Sequence, residues 1–153
     1  ISREKLYVLS GGKGFEEQFY KFTKKYVTDD TVWIGYNISF DKRLINQTLQ
    51  NGGEPPFEFG QETKRLGVAS VAPGRWYFDA MKPISAAMRS PRSLKLADAG
   101  KALAKYYKPG QVEAMFDTLC KKIGVNTDAQ FHSALYDSFV TFLLVYTYRH
   151  VLM

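Results

Sequence analysis

Residues 31–43 read TVWIGYNISFDKR: an apolar run that ends at Gly35 and passes at once into Asn37, Ser39 and Asp41. Residues 31–36 are rich in β-formers and carry no alternating polar positions, the pattern of a strand covered on both faces, as in a parallel sheet. A helix is expected from about residue 39 to 50, so Asp41 falls in its first turn. In open α/β sheets, ligands gather beyond the carboxyl ends of parallel strands. Asp41 stands at that place, either as a functional carboxylate or as a first-turn acid favoured by the helix dipole. Asn37 reads as a cap or turn residue.

Working outward, residues 14–27 place Phe15, Phe19, Phe22 and Tyr26 at helical spacing, with Glu16 and Glu17 early and Lys24 and Lys25 late. That is an amphipathic helix whose charges match its dipole. Residues 51–56, NGGEPP, form a loop by their Gly and Pro content. Residues 63–71 fit no single pattern, and RWYFDAM, from Arg75, reads as a second short strand ending near Asp79. Two helices are expected over 93–107 and 110–123, joined at Pro109 and Gly110. A last helix runs from about 133 onward, with Leu135, Phe139, Val140, Phe142, Leu143, Leu144 and Val145 around most of its circumference, which predicts deep burial. The count leaves a deficit: two strands are too few to cover so many apolar helix faces.

The chain has 153 residues, 45% of them hydrophobic and 15% aromatic, enough for one domain with a sizeable core. Cys120 alone excludes an internal disulfide framework and a Cys-rich metal site, and as a free cysteine it is expected in the core. No secretory signal is visible, and the charge-free stretch 138–148 is well short of the ~18 residues of a membrane span. A soluble, cytoplasmic protein with no membrane partner is expected. The net charge of +6 permits an acidic partner. All of the excess sits between Arg75 and Lys108, where Arg75, Lys82, Arg89, Arg92, Lys95, Lys101, Lys105 and Lys108 face only Asp79 and Asp98. That stretch would suit a phosphate backbone, with Trp76, Tyr77, Phe78, Tyr106 and Tyr107 either stacking on bases or lying in the core.

Asp137 lies near the start of the most apolar helix, in FHSALYDSFVTFLLV. An ionised carboxylate there must face solvent, pair with a cation or bind metal, because burying it unpaired costs several kcal/mol or more. His132 is five residues upstream, on a different helical face if both are helical, and is therefore expected on the lead-in loop above Asp137.

NISFD, from Asn37 to Asp41, resembles the second motif, N-x-x-F-D, of the DEDDh 3'-5' exonucleases, which include ribonuclease T and the proofreading subunit of bacterial DNA polymerase III. HSALYD, from His132 to Asp137, resembles their third motif, H-x-A-x-x-D. The order and the placement, one motif after a strand and the other opening the C-terminal helix, make the pair fairly specific, and the resemblance runs from about residue 14 to the end. It implies an α/β, RNase H-like fold lacking the N-terminal antiparallel strands, in a single domain over 1–153 with a helical insert at about 94–122. It implies Mg2+ or Mn2+, two ions in the complete site, with Asp41 and Asp137 as ligands, His132 as general base, and Asn37 and Phe40 against the substrate, the 3' end of single-stranded DNA or RNA. Two metals can clamp the attacking and leaving oxygens of phosphodiester hydrolysis, and a histidine near its ordinary pKa can take the proton from water. The first motif, an Asp-x-Glu strand, has no counterpart in residues 1–13, ISREKLYVLSGGK. A missing N-terminal segment or a second chain is therefore expected to supply those acids, with little activity from this chain alone. The alternative is a catalytically inactive exonuclease-like module that binds nucleic acid or a protein partner.

Overall fold

A computed structural model describes residues 14–125 and 134–153. The elements in order are α1 (Phe15–Tyr26), β1 (Val32–Gly35), α2 (Ile38–Asn51), β2 (Gln61–Glu62), α3 (Leu66–Val71), β3 (Trp76–Asp79), α4 (Met81–Ala87), α5 (Leu96–Ala104), α6 (Gln111–Ile123), α7 (Ala134–Thr147) and α8 (Arg149–Leu152). The three strands form one sheet in the order β1-β3-β2, and both pairings are parallel. Strand–helix–strand connections of this kind are what parallel pairing requires, since the chain must cross back over the sheet each time. The architecture is α/β, with no antiparallel pairing among the described strands.

Register sorts the side chains into two layers. Trp33 lies opposite Tyr77, and Ile34 opposite Phe78; alternation along a strand sends these two pairs to opposite faces. On the first face Trp33 meets Phe57 and Phe59 edge-on at 5.6 and 5.1 Å, and Phe57 carries the contact to Phe19 of α1. Tyr77 lies under the Lys42 ammonium of α2, 3.4 Å from the ring centre. On the second face Phe78 enters the main core with Ile84, Ala99, Leu103, Val140, Leu143 and Leu144 from α4, α5 and α7. Phe78, Leu103 and Leu144 are fully buried, and each contributes about 1.5–3 kcal/mol by leaving water. Helices α5 and α7 approach closely because Gly100 has no side chain: a Cβ there would lie 3.2 Å from Val140 Cγ1. Cys120 is buried, as expected of a lone thiol.

Several expectations are corrected. The ambiguous stretch 63–71 holds helix α3, and a third strand, β2, lies just before it. Strand β1 is not covered on both faces: Ile34 remains 43% exposed, and among the described residues the strand is also paired on one side only. The C-terminal helix is buried on one side only: Val140, Leu143 and Leu144 are inside, while Phe142 and Tyr146 are exposed and stack on each other at 6.1 Å. It also breaks at Tyr148 before α8. Among the described residues, no helix is long and apolar enough to cross a membrane.

Candidate active site

All three strands run the same way, so their carboxyl ends share one rim, and the residues that follow β1 and β3 meet there. Gly35 ends β1 where a Cβ would lie 2.9 Å from both Cβ and Cγ1 of Ile38. Its absence lets the first turn of α2 fold back against the strand end. Asn37 takes the turn in the left-handed region, at φ 63° and ψ 51°, which asparagine accepts more readily than most residues. Its backbone N–H donates to Asp79 Oδ1 at 2.9 Å, and its carbonyl accepts the Phe40 N–H at 3.1 Å. Asp79 Oδ1 also accepts the Met81 N–H at 3.1 Å, and the Ala80 N–H donates to the Gly35 carbonyl at 2.8 Å. The ends of the two strands are thus fastened together through one carboxylate and one extra ladder bond.

Asp41, one turn further, and Asp137, in the first turn of α7, face the same cleft. The cleft has a volume of about 430 Å3; besides the two acids it is lined by Ile34, Gly35 and Tyr36 from the end of β1, Leu96 of α5, and Ser138, Thr141, Phe142 and Val145 of α7. Tyr36 is anchored by its hydroxyl, which donates to the Leu94 carbonyl. Partial burial holds the Asp41 carboxyl above the ordinary carboxylate range, and the negative charges of Asp79 and then Asp137 push it further the same way. A cation placed beside the pair would reverse that penalty.

Oxygen donors of this kind fit Mg2+ or Mn2+, and Mg2+ in particular is held through one or two carboxylates together with waters and substrate phosphates. Asp41 and Asp137 are the two carboxylates of the cleft lining that could hold such an ion. Among the described residues, no group of three or more His, Cys, Asp or Glu side chains is arranged to hold a metal.

Of the residues singled out in the sequence, Asp41 and Asp137 are brought together. His132 lies outside the described residues. Asn37 is beside the site, but its side chain makes no cap hydrogen bond; its backbone does the work. Phe40 is 46% exposed, with its ring 5.4 Å from the Arg43 guanidinium. None of the basic residues of that stretch lines the cleft. Arg75 precedes β3 at the opposite rim, where its guanidinium reaches the Glu58 carbonyl and Asp29. Phe78 is core, Tyr107 packs against the core, and Tyr106 is 70% exposed. The residue that sequence reasoning missed is Asp79. Its signal was present, an acid closing the second apolar run just as Asn37 and Asp41 follow the first.

No family model, curated protein or solved structure matches the chain.

Proposed function

We propose that the chain is a metal-dependent 3'-5' exonuclease of the DEDDh kind, with an RNase H-like fold and an incomplete set of site acids, acting on the 3' ends of single-stranded DNA or RNA. The observation that supports it most is the convergence of Asp41 and Asp137, distant in sequence, on one cleft at the carboxyl rim of a parallel sheet. Their motif neighbours, NISFD and HSALYD, are the segments that resemble the family. Mg2+ or Mn2+ would supply the charge that stabilises the attacking and leaving oxygens of the phosphodiester. Asp41 and Asp137 would hold and orient the cation. His132, by the resemblance, takes the proton from the attacking water.

The outer edge of β1 favours the expectation of further acids from elsewhere. Among the described residues β1 has a partner on one side only, and Ile34 and Phe142 beside it are exposed. A strand added there would complete the sheet and set its side chains beside Asp41. The absence of an Asp-x-Glu pattern in residues 1–13 also favours a second reading, an inactive module that binds nucleic acid or a protein.

The test uses the full-length gene product with 5'-labelled single-stranded DNA and RNA and Mn2+. Stepwise shortening from the 3' end, lost in Asp137→Ala, is expected. Absence of shortening, or shortening that survives Asp137→Ala, refutes the nuclease. Salt-sensitive binding of the same strands without shortening selects the inactive module.

A further inference from the structure

We propose that Asp79 is a positioning residue of this site: its carboxylate fastens the left-handed turn at Asn37 to the end of the central strand, and so fixes where Asp41 stands relative to Asp137. The inference rests on the exonuclease reading for its purpose, but not for its geometry. One oxygen, Asp79 Oδ1, accepts from the Asn37 N–H at 2.9 Å and from the Met81 N–H at 3.1 Å. The first bond crosses between β1 and β3 and is made to a residue at φ 63°. A non-glycine residue in that conformation costs about 1 kcal/mol, less for asparagine than for most, so the bend depends in part on the groups that hold it. The Asp79 carboxylate is the side chain that holds it, beside the backbone bond from the Phe40 N–H to the Asn37 carbonyl. Four residues on, Asp41 leaves the first turn of the helix that this bend aims, so a change in the bend carries directly to the cleft.

The same arrangement separates Asp79 from the ligands. Asp41 and Asp137 line the cleft and Asp79 does not; its Oδ1 is occupied by two backbone donors. Asparagine at position 79 would keep an acceptor oxygen of the same shape while removing the charge. Alanine would remove both.

Two measurements on the full chain test this, amide hydrogen exchange at Asn37 and Mn2+ affinity by calorimetric titration. Asp79→Ala is expected to speed Asn37 exchange roughly ten-fold, as loss of a charged hydrogen bond implies, and to weaken Mn2+ binding on the order of ten-fold. Asp79→Asn is expected to keep the Asn37 protection close to the parent and to bind Mn2+ more tightly than Asp79→Ala does, its remaining loss reflecting the charge removed beside Asp41. Unchanged Asn37 protection in Asp79→Ala overturns the proposal. So does Asp79→Asn that keeps the protection but loses Mn2+, since that pattern belongs to a ligand. A parent chain that binds no Mn2+ refutes the metal site instead, and the exchange measurement still decides the clamp. Should Asp79→Ala fail to fold, the Asp79→Asn pair of readouts decides the same question.

Discussion

Ser85 is buried in α4, and its hydroxyl donates to the Met81 carbonyl at 2.7 Å and accepts the Leu94 N–H at 2.9 Å. The Leu94 carbonyl in turn accepts the Tyr36 hydroxyl. Leu94 is thereby held from both of its polar groups, and with it the segment leading to Leu96 on the cleft wall. Ser85→Ala removes the acceptor and leaves the Leu94 N–H without its protein partner. An orphaned buried donor costs about 1–3 kcal/mol; Leu94 is half-buried, so water softens the loss and about 1–2 kcal/mol is expected. At roughly 2–4 °C per kcal/mol for a chain of this size, Tm should fall by about 2–8 °C. Tyr36→Phe removes one donor from a carbonyl and should cost about 0.5–1.5 kcal/mol. Because both variants release the same residue, the double variant should differ from the sum by about 0.5 kcal/mol or more. Urea unfolding of the four proteins measures all three quantities. A Ser85→Ala chain within about 0.5 kcal/mol of the parent, or strict additivity, refutes the idea that Leu94 is gripped from two sides.

Asp41 has a raised pKa, so its favourable contribution to stability is complete below the ordinary aspartate value and is lost as pH rises through its folded-state value. Asp41→Asn should therefore raise Tm near neutral pH without divalent cations and lose that advantage at acid pH, while Mn2+ should stabilise the parent but not the variant, both readable by calorimetry. Gly35→Ala places a methyl group 2.9 Å from Ile38, which is buried in the first turn of α2, and should cost about 1–3 kcal/mol in denaturant unfolding. Burial, and then the neighbouring Tyr106, push the Tyr148 hydroxyl up to about 12. In an ultraviolet titration it should ionise after the exposed tyrosines, with its contribution to stability lost between about pH 10 and 12.

Much of this arrangement was legible in residues 31–51 alone. The apolar run, the glycine stop and the first-turn acid translate directly into β1, the bend and α2, because each is a local preference that the tertiary structure respects. Strand β2 was not legible. Gln61 and Glu62 are both exposed and carry no apolar period, so only pairing with β3 makes them a strand. The wrap of apolar residues on α7 misled in the other direction: Phe142 and Tyr146 satisfy the pattern of a buried helix while lying on its open side. Asp79 was legible as the end of a strand but not as a clamp, since its partner at Asn37 is a backbone N–H, and backbone donors leave no mark in an amino-acid sequence. The meeting of Asp41 and Asp137 is a property of sheet direction, which spacing along the chain does not encode.

The lone flank of β1 has a further consequence for how the molecule behaves in a tube. Among the described residues, the backbone groups of this four-residue strand that point away from β3 are unpaired and, next to Ile34 and Phe142, form an adhesive seam. Its brevity keeps the attraction small for any one encounter. At high concentration, however, copies should associate along that seam before they associate anywhere else, and a lysine at Ile34 should keep them apart.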